Sequence, residues 1–164
     1  MKLGLIAGNG RFPFLVLDAA RAQGHDVTVI ATKEEAFEDL EDAARGAGAP
    51  IHWISIGQLG TCVRLLKEAR ATHAVMAGQV KHTKIFGGIV PDLTFMGVLA
   101  KLPFQSTDGL IGAVAAVLRD NGIELVDSTA LLQPMLATAN EAGITIVGRA
   151  PADGGRPLAG RRAE

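Results

Sequence analysis

An α/β fold, with an open, doubly wound and mainly parallel sheet flanked by helices, is predicted by three features of this 164-residue sequence. Short apolar and β-branched runs recur along the chain, segments with helical spacing of apolar residues separate them, and most runs stop at glycine or polar residues. At 48% hydrophobic residues the chain can bury one sizeable core and is too short for two.

The first strand is Leu3-Gly4-Leu5-Ile6-Ala7, which stops at Gly8-Asn9-Gly10-Arg11-Phe12-Pro13. A first helix is expected from Pro13 to about Ala22, because proline is suited to an opening position and Gly24 closes the segment. Phe14, Leu15, Leu17 and Ala20 are expected to face the sheet. Val27-Thr28-Val29-Ile30, Ile51-His52-Trp53-Ile54 and His73-Ala74-Val75-Met76 read as the next three strands. The intervening helices are expected over Glu34 to Arg45 and Gln58 to Arg70, the latter with Leu59, Cys62, Val63 and Leu66 on one stripe. A long glycine-rich loop, Gly78 to Gly88, leads to helices over Asp92 to Leu102 and Thr107 to Asn121. Asn121-Gly122 is a stop signal, and Ile123-Glu124-Leu125-Val126 supplies a fifth strand. Strands joined by helices should pair in parallel through right-handed crossovers, which makes the architecture Rossmann-like.

Beyond Ala139 the composition changes. Gly143-Ile144-Thr145-Ile146-Val147 has the makings of one short strand, and Gly148 to Glu164, rich in Gly, Pro, Ala and Arg, reads as a disordered tail. The composition therefore describes one folded unit followed by an atypical tail.

Composition narrows the partners. A net charge of -1, without a run of Lys or Arg in the first 140 residues, lacks the electrostatic footprint of nucleic-acid binding, so the expected partner is small. The one cysteine, Cys62, fits a reducing cytoplasm and reads as a small buried hydrophobe. No apolar run approaches the ~20 residues of a membrane span. Peripheral membrane contact through Ile85-Phe86 and Leu93-Thr94-Phe95-Met96 is left open.

In open α/β sheets, ligands bind beyond the carboxyl ends of the strands where the strand order reverses. Gly8 to Pro13, Thr32-Lys33, Gly78 to His82 and Asp127-Ser128-Thr129 should all reach that edge. Gly8-Asn9-Gly10 lets the backbone approach a ligand, or simply makes a tight connection. Against G-x-G-x-x-G, Pro13 replaces the third glycine, and Ala31-Thr32-Lys33 offers no ribose-binding acid, which disfavours a dinucleotide-dependent oxidoreductase. Arg11 is suited to clamping a phosphate, or to lying solvated at a helix start. Lys81 could meet a phosphate as a point charge and Gln79 could read a base or sugar hydroxyl, although both also fit a solvated loop. His82 has no second ligand at metal spacing, and His25, His52 and His73 look structural. Ser106 or Thr107 is placed to cap the last long helix, with Asp108 in its first turn; a carboxylate holding Mg²⁺ near a diphosphate is the functional alternative for Asp108. There is no G-x-S-x-G, H-E-x-x-H or C-x-x-C.

Four ordered segments, Leu3 to Pro13, Val75-Met76-Ala77-Gly78-Gln79-Val80, Thr107-Asp108-Gly109-Leu110-Ile111 and Gly122-Ile123-Glu124-Leu125, resemble the N-terminal domain of the LpxI family. Members are UDP-2,3-diacylglucosamine diphosphatases of lipid A biosynthesis. The resemblance covers about residues 1–136, and so implies a domain division into an LpxI-like N-terminal domain, 1–136, and an atypical tail, 137–164. It implies Mg²⁺-dependent hydrolysis of a UDP-sugar lipid to UMP and 2,3-diacylglucosamine 1-phosphate, in a cytoplasmic enzyme compatible with peripheral contact at the inner membrane and with a homodimer. The positions it carries over as substrate-binding are Gly8, Asn9, Gly10, Arg11, Pro13, Gly78, Gln79 and Lys81, with Thr107 and Asp108. The family's second, C-terminal domain supplies much of the metal-dependent chemistry, including an acidic Gly-Thr-Asp type motif. Nothing after Ala139 resembles it, and the ending looks like that of a truncated or frameshifted product. The resemblance therefore assigns no catalytic residue or metal ligand here, and a substrate-binding half of the enzyme is the expectation. A non-catalytic α/β nucleotide-sugar-binding or assembly module is the alternative.

Overall fold

Five parallel strands form one sheet in the order β3-β2-β1-β4-β5: β1 Lys2–Ala7, β2 Asp26–Thr32, β3 Ile51–Ile54, β4 His73–Ala77 and β5 Glu124–Val126. The computed structural model describes residues 1–80, 90–102 and 107–133. Its helices are α1 Phe12–Ala22, α2 Leu40–Gly46, α3 Leu59–Glu68, α4 Leu93–Lys101 and α5 Thr107–Asp120, and a short helical segment follows over 128–133. The chain lays β2 and β3 on one side of β1 and β4 and β5 on the other, so the order reverses between β1 and β4.

The alternation of strand side chains divides the core into two layers. Leu3, Leu5 and Ala7 of β1 join Val27, Val29 and Ala31 of β2 under Val16, Leu17 and Ala20 of α1 and Leu40 and Ala44 of α2. On the opposite face Ile30, Ile54 and Ala74 meet Leu59, Cys62, Val63 and Leu66 of α3, Phe95 and Val98 of α4, and Leu110, Val114 and Leu118 of α5. The expected α3 stripe is therefore the one that is buried.

Two expectations are corrected. The first helix buries Pro13, Val16, Leu17, Ala19 and Ala20, whereas Leu15 is 39% exposed and Phe14 half-buried. The helix is rotated by about one position from the face inferred, so that the small Ala19 and Ala20 meet the sheet. The second helix starts at Leu40 rather than Glu34. Six acids between Glu34 and Asp42 oppose one another at helical spacing, and the chain turns instead at Thr32, whose carbonyl accepts from the Glu35 and Ala36 amides at 3.2 and 2.8 Å. Glu41 and Asp42 then fall in the first turn, where the helix dipole favours them.

Helix ends follow a shared pattern. After α1 and α5, Gly24 and Gly122 take positive φ, and the next amides, His25 and Ile123, donate back to Ala20 and Leu118 at 3.0 and 2.9 Å. Asp92 caps α4 with Oδ1 accepting from the Phe95 amide at 2.9 Å, while its Oδ2 accepts from the Gly60 amide of α3 at 2.7 Å. One carboxylate thus ties two helix starts together.

Candidate functional site

The carboxyl ends of β1 and β4 are where ligands collect in a sheet of this order, and there the two glycine turns interlock. Asn9 N–H donates to the Gln79 carbonyl at 2.7 Å and Gln79 N–H to the Asn9 carbonyl at 3.1 Å, a two-bond antiparallel bridge beyond the parallel ladder. Just before it, Gly8 N–H donates to the Ala77 carbonyl at 2.8 Å. The contact demands glycine on both sides. A Cβ on Gly8 would stand 2.6 Å from the Gln79 oxygen, and one on Gly78, whose φ is +92°, would stand 2.7 Å from the Asn9 oxygen.

Gly10, at φ +100°, turns the chain into α1. Arg11 occupies the capping position with no side-chain cap, and the first turn holds Pro13 and no acid. The Gly10 and Arg11 amides make no backbone hydrogen bonds among the described residues. Helix starts of this kind favour anions. The Arg11 side chain, however, points to the β2–α2 connection. Its guanidinium meets Asp39 Oδ2 at 2.6 Å and lies 4.8 and 5.2 Å from the Phe14 and Phe37 ring centres. Arg11, Phe37, Glu38, Asp39, Glu41 and Asp42 line an open depression of about 760 Å³, which four carboxylates make unsuited to a diphosphate.

The Asn9 side chain is also engaged, donating from Nδ2 to Glu35 Oε2 at 3.1 Å. Glu35 is 5% exposed. Sequence reasoning looked for an acid within Ala31-Thr32-Lys33 and missed this one three residues past the strand; an acidic side chain following the Thr32 turn was the available signal. Thr32 itself closes the β1–β2 edge, its hydroxyl donating to the Ala7 carbonyl at 3.0 Å, and Lys33 is exposed. Gln79 presents an exposed side chain. Thr107 and Asp108 begin α5, which packs on β5 and runs back to that strand's start, so topology sets them toward the carboxyl edge. Asp108 makes no hydrogen bond or ion pair to either glycine turn among the described residues. Asp127 closes a local turn, accepting from the Thr129 amide at 2.9 Å. Lys81, His82, Ile85, Phe86, Ser106 and the segment 137–164 lie outside the described residues.

His25 meets the N-terminal amine at 3.0 Å, and burial, then that amine's charge and His73, lower its pKa. His73 Nε2 lies 3.6 Å from Glu124 Oε2. Both sit at the opposite, amino-terminal ends of the strands, in keeping with structural roles. No helix among the described residues is long and apolar enough to cross a membrane. Of the suspected membrane-facing segment, Leu93 is 87% exposed and Phe95 is buried.

Fold and site together define an open α/β domain of Rossmann type with two glycine turns at its switch point. Residues 2–135 match the family described as LpxI N-terminal domain, and the chain belongs to that family. Membership supports a role related to lipid A biosynthesis. Among solved structures, a UDP-glucose-4-epimerase from Stenotrophomonas maltophila with bound NAD and formylated UDP-arabinopyranose is 16% identical, with TM-score 0.51, over 77% of this chain and 36% of that one. The biotin carboxylase domain of a thermophilic 2-oxoglutarate carboxylase bound to ADP is 15% identical, with TM-score 0.45, over 92% and 30%. A putative oxidoreductase from Escherichia coli K-12 is 12% identical, with TM-score 0.44, over 87% and 69%. The chain thus spans about a third of the first two, and the first likeness shows the fold alone. No curated protein matches.

Proposed function

We propose that this chain is the nucleotide-sugar-binding part of a UDP-2,3-diacylglucosamine diphosphatase, an enzyme releasing UMP and 2,3-diacylglucosamine 1-phosphate by Mg²⁺-dependent hydrolysis. The observation that carries the reading is the family match over residues 2–135, in a chain whose two glycine turns meet at the sheet's switch point. In this reading the diphosphate lies against the Gly10 and Arg11 amides at the start of α1, and Gln79 reads a sugar or base. Pro13 fixes the first turn without removing a needed donor, and the family resemblance adds Lys81, Thr107 and Asp108 as substrate contacts.

The described residues do not fit a Mg²⁺ site. No group of three or more His, Cys, Asp or Glu side chains among them could hold an ion. The carboxylate at the first turn, Glu35, accepts from Asn9, and those further along the β2–α2 connection face arginines, Asp39 with Arg11 and Glu41 and Asp42 with Arg45. No hydrolytic step is therefore derived through this chain's side chains; their work is to bind and orient.

The alternative, a non-catalytic assembly module, is favoured by one observation: the bridge between the turns already occupies Gly8 and Gly78 in a purely structural contact. Incubating the chain with UDP-2,3-diacylglucosamine and Mg²⁺ and following UMP separates the readings. Turnover supports a complete diphosphatase. UDP-sugar binding without turnover supports the binding part, and absence of both supports the module.

A further inference from the structure

Thr32 and Glu35 are the buried polar or charged side chains among the described residues, and of the two only Glu35 is ionisable. A carboxylate is costly to remove from water. Its neighbours Glu38, Asp39, Glu41 and Asp42 are all exposed, and the last three meet arginines. Glu35 is instead folded inward by the turn at Thr32 and held by Asn9, 26 positions earlier in the chain, at 3.1 Å. That bond sets the carboxylate beside the first glycine turn, past the end of β2.

In parallel sheets with this strand order, phosphates lie on the first glycine turn and the start of the first helix. The ribose then falls over the end of the second strand, where an acidic side chain accepts from its hydroxyls. Glu35 is the acid that the Thr32 turn delivers to that place. Resting on the nucleotide-binding reading above, we propose that the Glu35 carboxylate accepts hydrogen bonds from the vicinal ribose hydroxyls of a bound nucleoside diphosphate. Asn9 is the positioning residue that orients it. The Asn9 amide is a donor of the same kind as a ribose hydroxyl, so the carboxylate is already held in an accepting geometry before ligand arrives.

The test is made on the full chain by calorimetric titration with UDP, 2′-deoxy-UDP and 3′-deoxy-UDP, and in parallel with ADP and NAD. A hydrogen bond to a charged acceptor leads us to expect at least about tenfold weaker binding when one hydroxyl is missing. Glu35→Gln should erase most of that discrimination while retaining weakened UDP binding, with circular dichroism confirming the fold. UDP binding that is indifferent to both deoxy substitutions overturns the inference and leaves the UDP reading standing. Absence of any nucleotide binding overturns both. Tighter ADP or NAD binding with the same ribose dependence supports Glu35 and displaces uridine as the base. The deoxy series needs no variant, so it decides the matter even if Glu35→Gln does not fold.

Discussion

Asn9 and Gln79 exchange two backbone hydrogen bonds, of 2.7 and 3.1 Å, across the point where the sheet's strand order reverses. The two turns that a nucleotide would meet are therefore one structural unit. A ligand at this rim faces a prebuilt backbone surface rather than two independent loops, which lowers the ordering cost of binding.

Glycine substitutions separate strain from contact in that unit. Gly10→Ala places a residue at φ +100° with nothing within 4 Å of the new Cβ, so it should cost about 1–2 kcal/mol of backbone strain. Gly78→Ala adds a Cβ 2.7 Å from the Asn9 oxygen to an unfavourable φ of +92°. Backbone atoms cannot swing aside as a side chain can, and the expected loss is at least about 2 kcal/mol. Urea denaturation of the pair checks the order; equal losses would show that the bridge yields easily.

Strands were legible because parallel, doubly covered strands are written as apolar runs, and Ile51–Ile54 agrees at both ends. The α3 stripe was legible for a similar reason, its large apolar side chains lying on one face. Where apolar residues are dense, as in Phe12 to Ala20, periodicity did not choose between adjacent faces, and packing of small side chains decided the matter. The acidic stretch from Glu34 turns at Thr32 instead of starting a helix, and that turn brings Glu35 to Asn9. The same long-range pairing hid the most informative carboxylate of the candidate site. Arg11 was identified as a residue, but its capture by Asp39, 28 positions away, is a property of the folded chain.

That capture makes Arg11 a sensitive probe. Its side chain and that of Asp39 are 66% and 50% exposed, so the ion pair should contribute no more than about 1 kcal/mol. Arg11→Ala is accordingly expected to leave the urea midpoint nearly unchanged while weakening UDP binding severalfold, with a shallower salt dependence. Asp39→Asn releases the guanidinium and should tighten UDP binding. If neither substitution moves the UDP affinity, Arg11 serves only the contact with the β2–α2 connection.

Asp92 joins the starts of α3 and α4 through the Gly60 and Phe95 amides at 2.7 and 2.9 Å. Removing both charge-assisted bonds with Asp92→Ala should destabilise the domain by about 2 kcal/mol. Asp92→Asn keeps one acceptor oxygen and should cost about half as much. Equilibrium unfolding in urea measures both, and identical losses would indicate that a single bond carries the cap.

Cys62 gives the fold a distinct alkaline limit. Burial, assisted by the nearby Asp92 charge, pushes its thiol up to about 12 from 9.0. Between those values the unfolded chain loses a proton that the folded chain keeps, so deprotonation favours unfolding. Stability from this group is fully present below pH 9.0 and falls as pH rises, by up to about 1.4 kcal/mol per pH unit, until the folded thiol ionises as well. Cys62→Ala should lower stability at pH 7 by leaving a small void, yet flatten the decline between pH 9 and 11 relative to the parent chain. In the native state the thiol should react with iodoacetamide far more slowly than in 6 M urea. Rapid labelling of the folded chain at pH 8 would place Cys62 at a surface rather than among Leu59, Val63 and Leu66, where it packs.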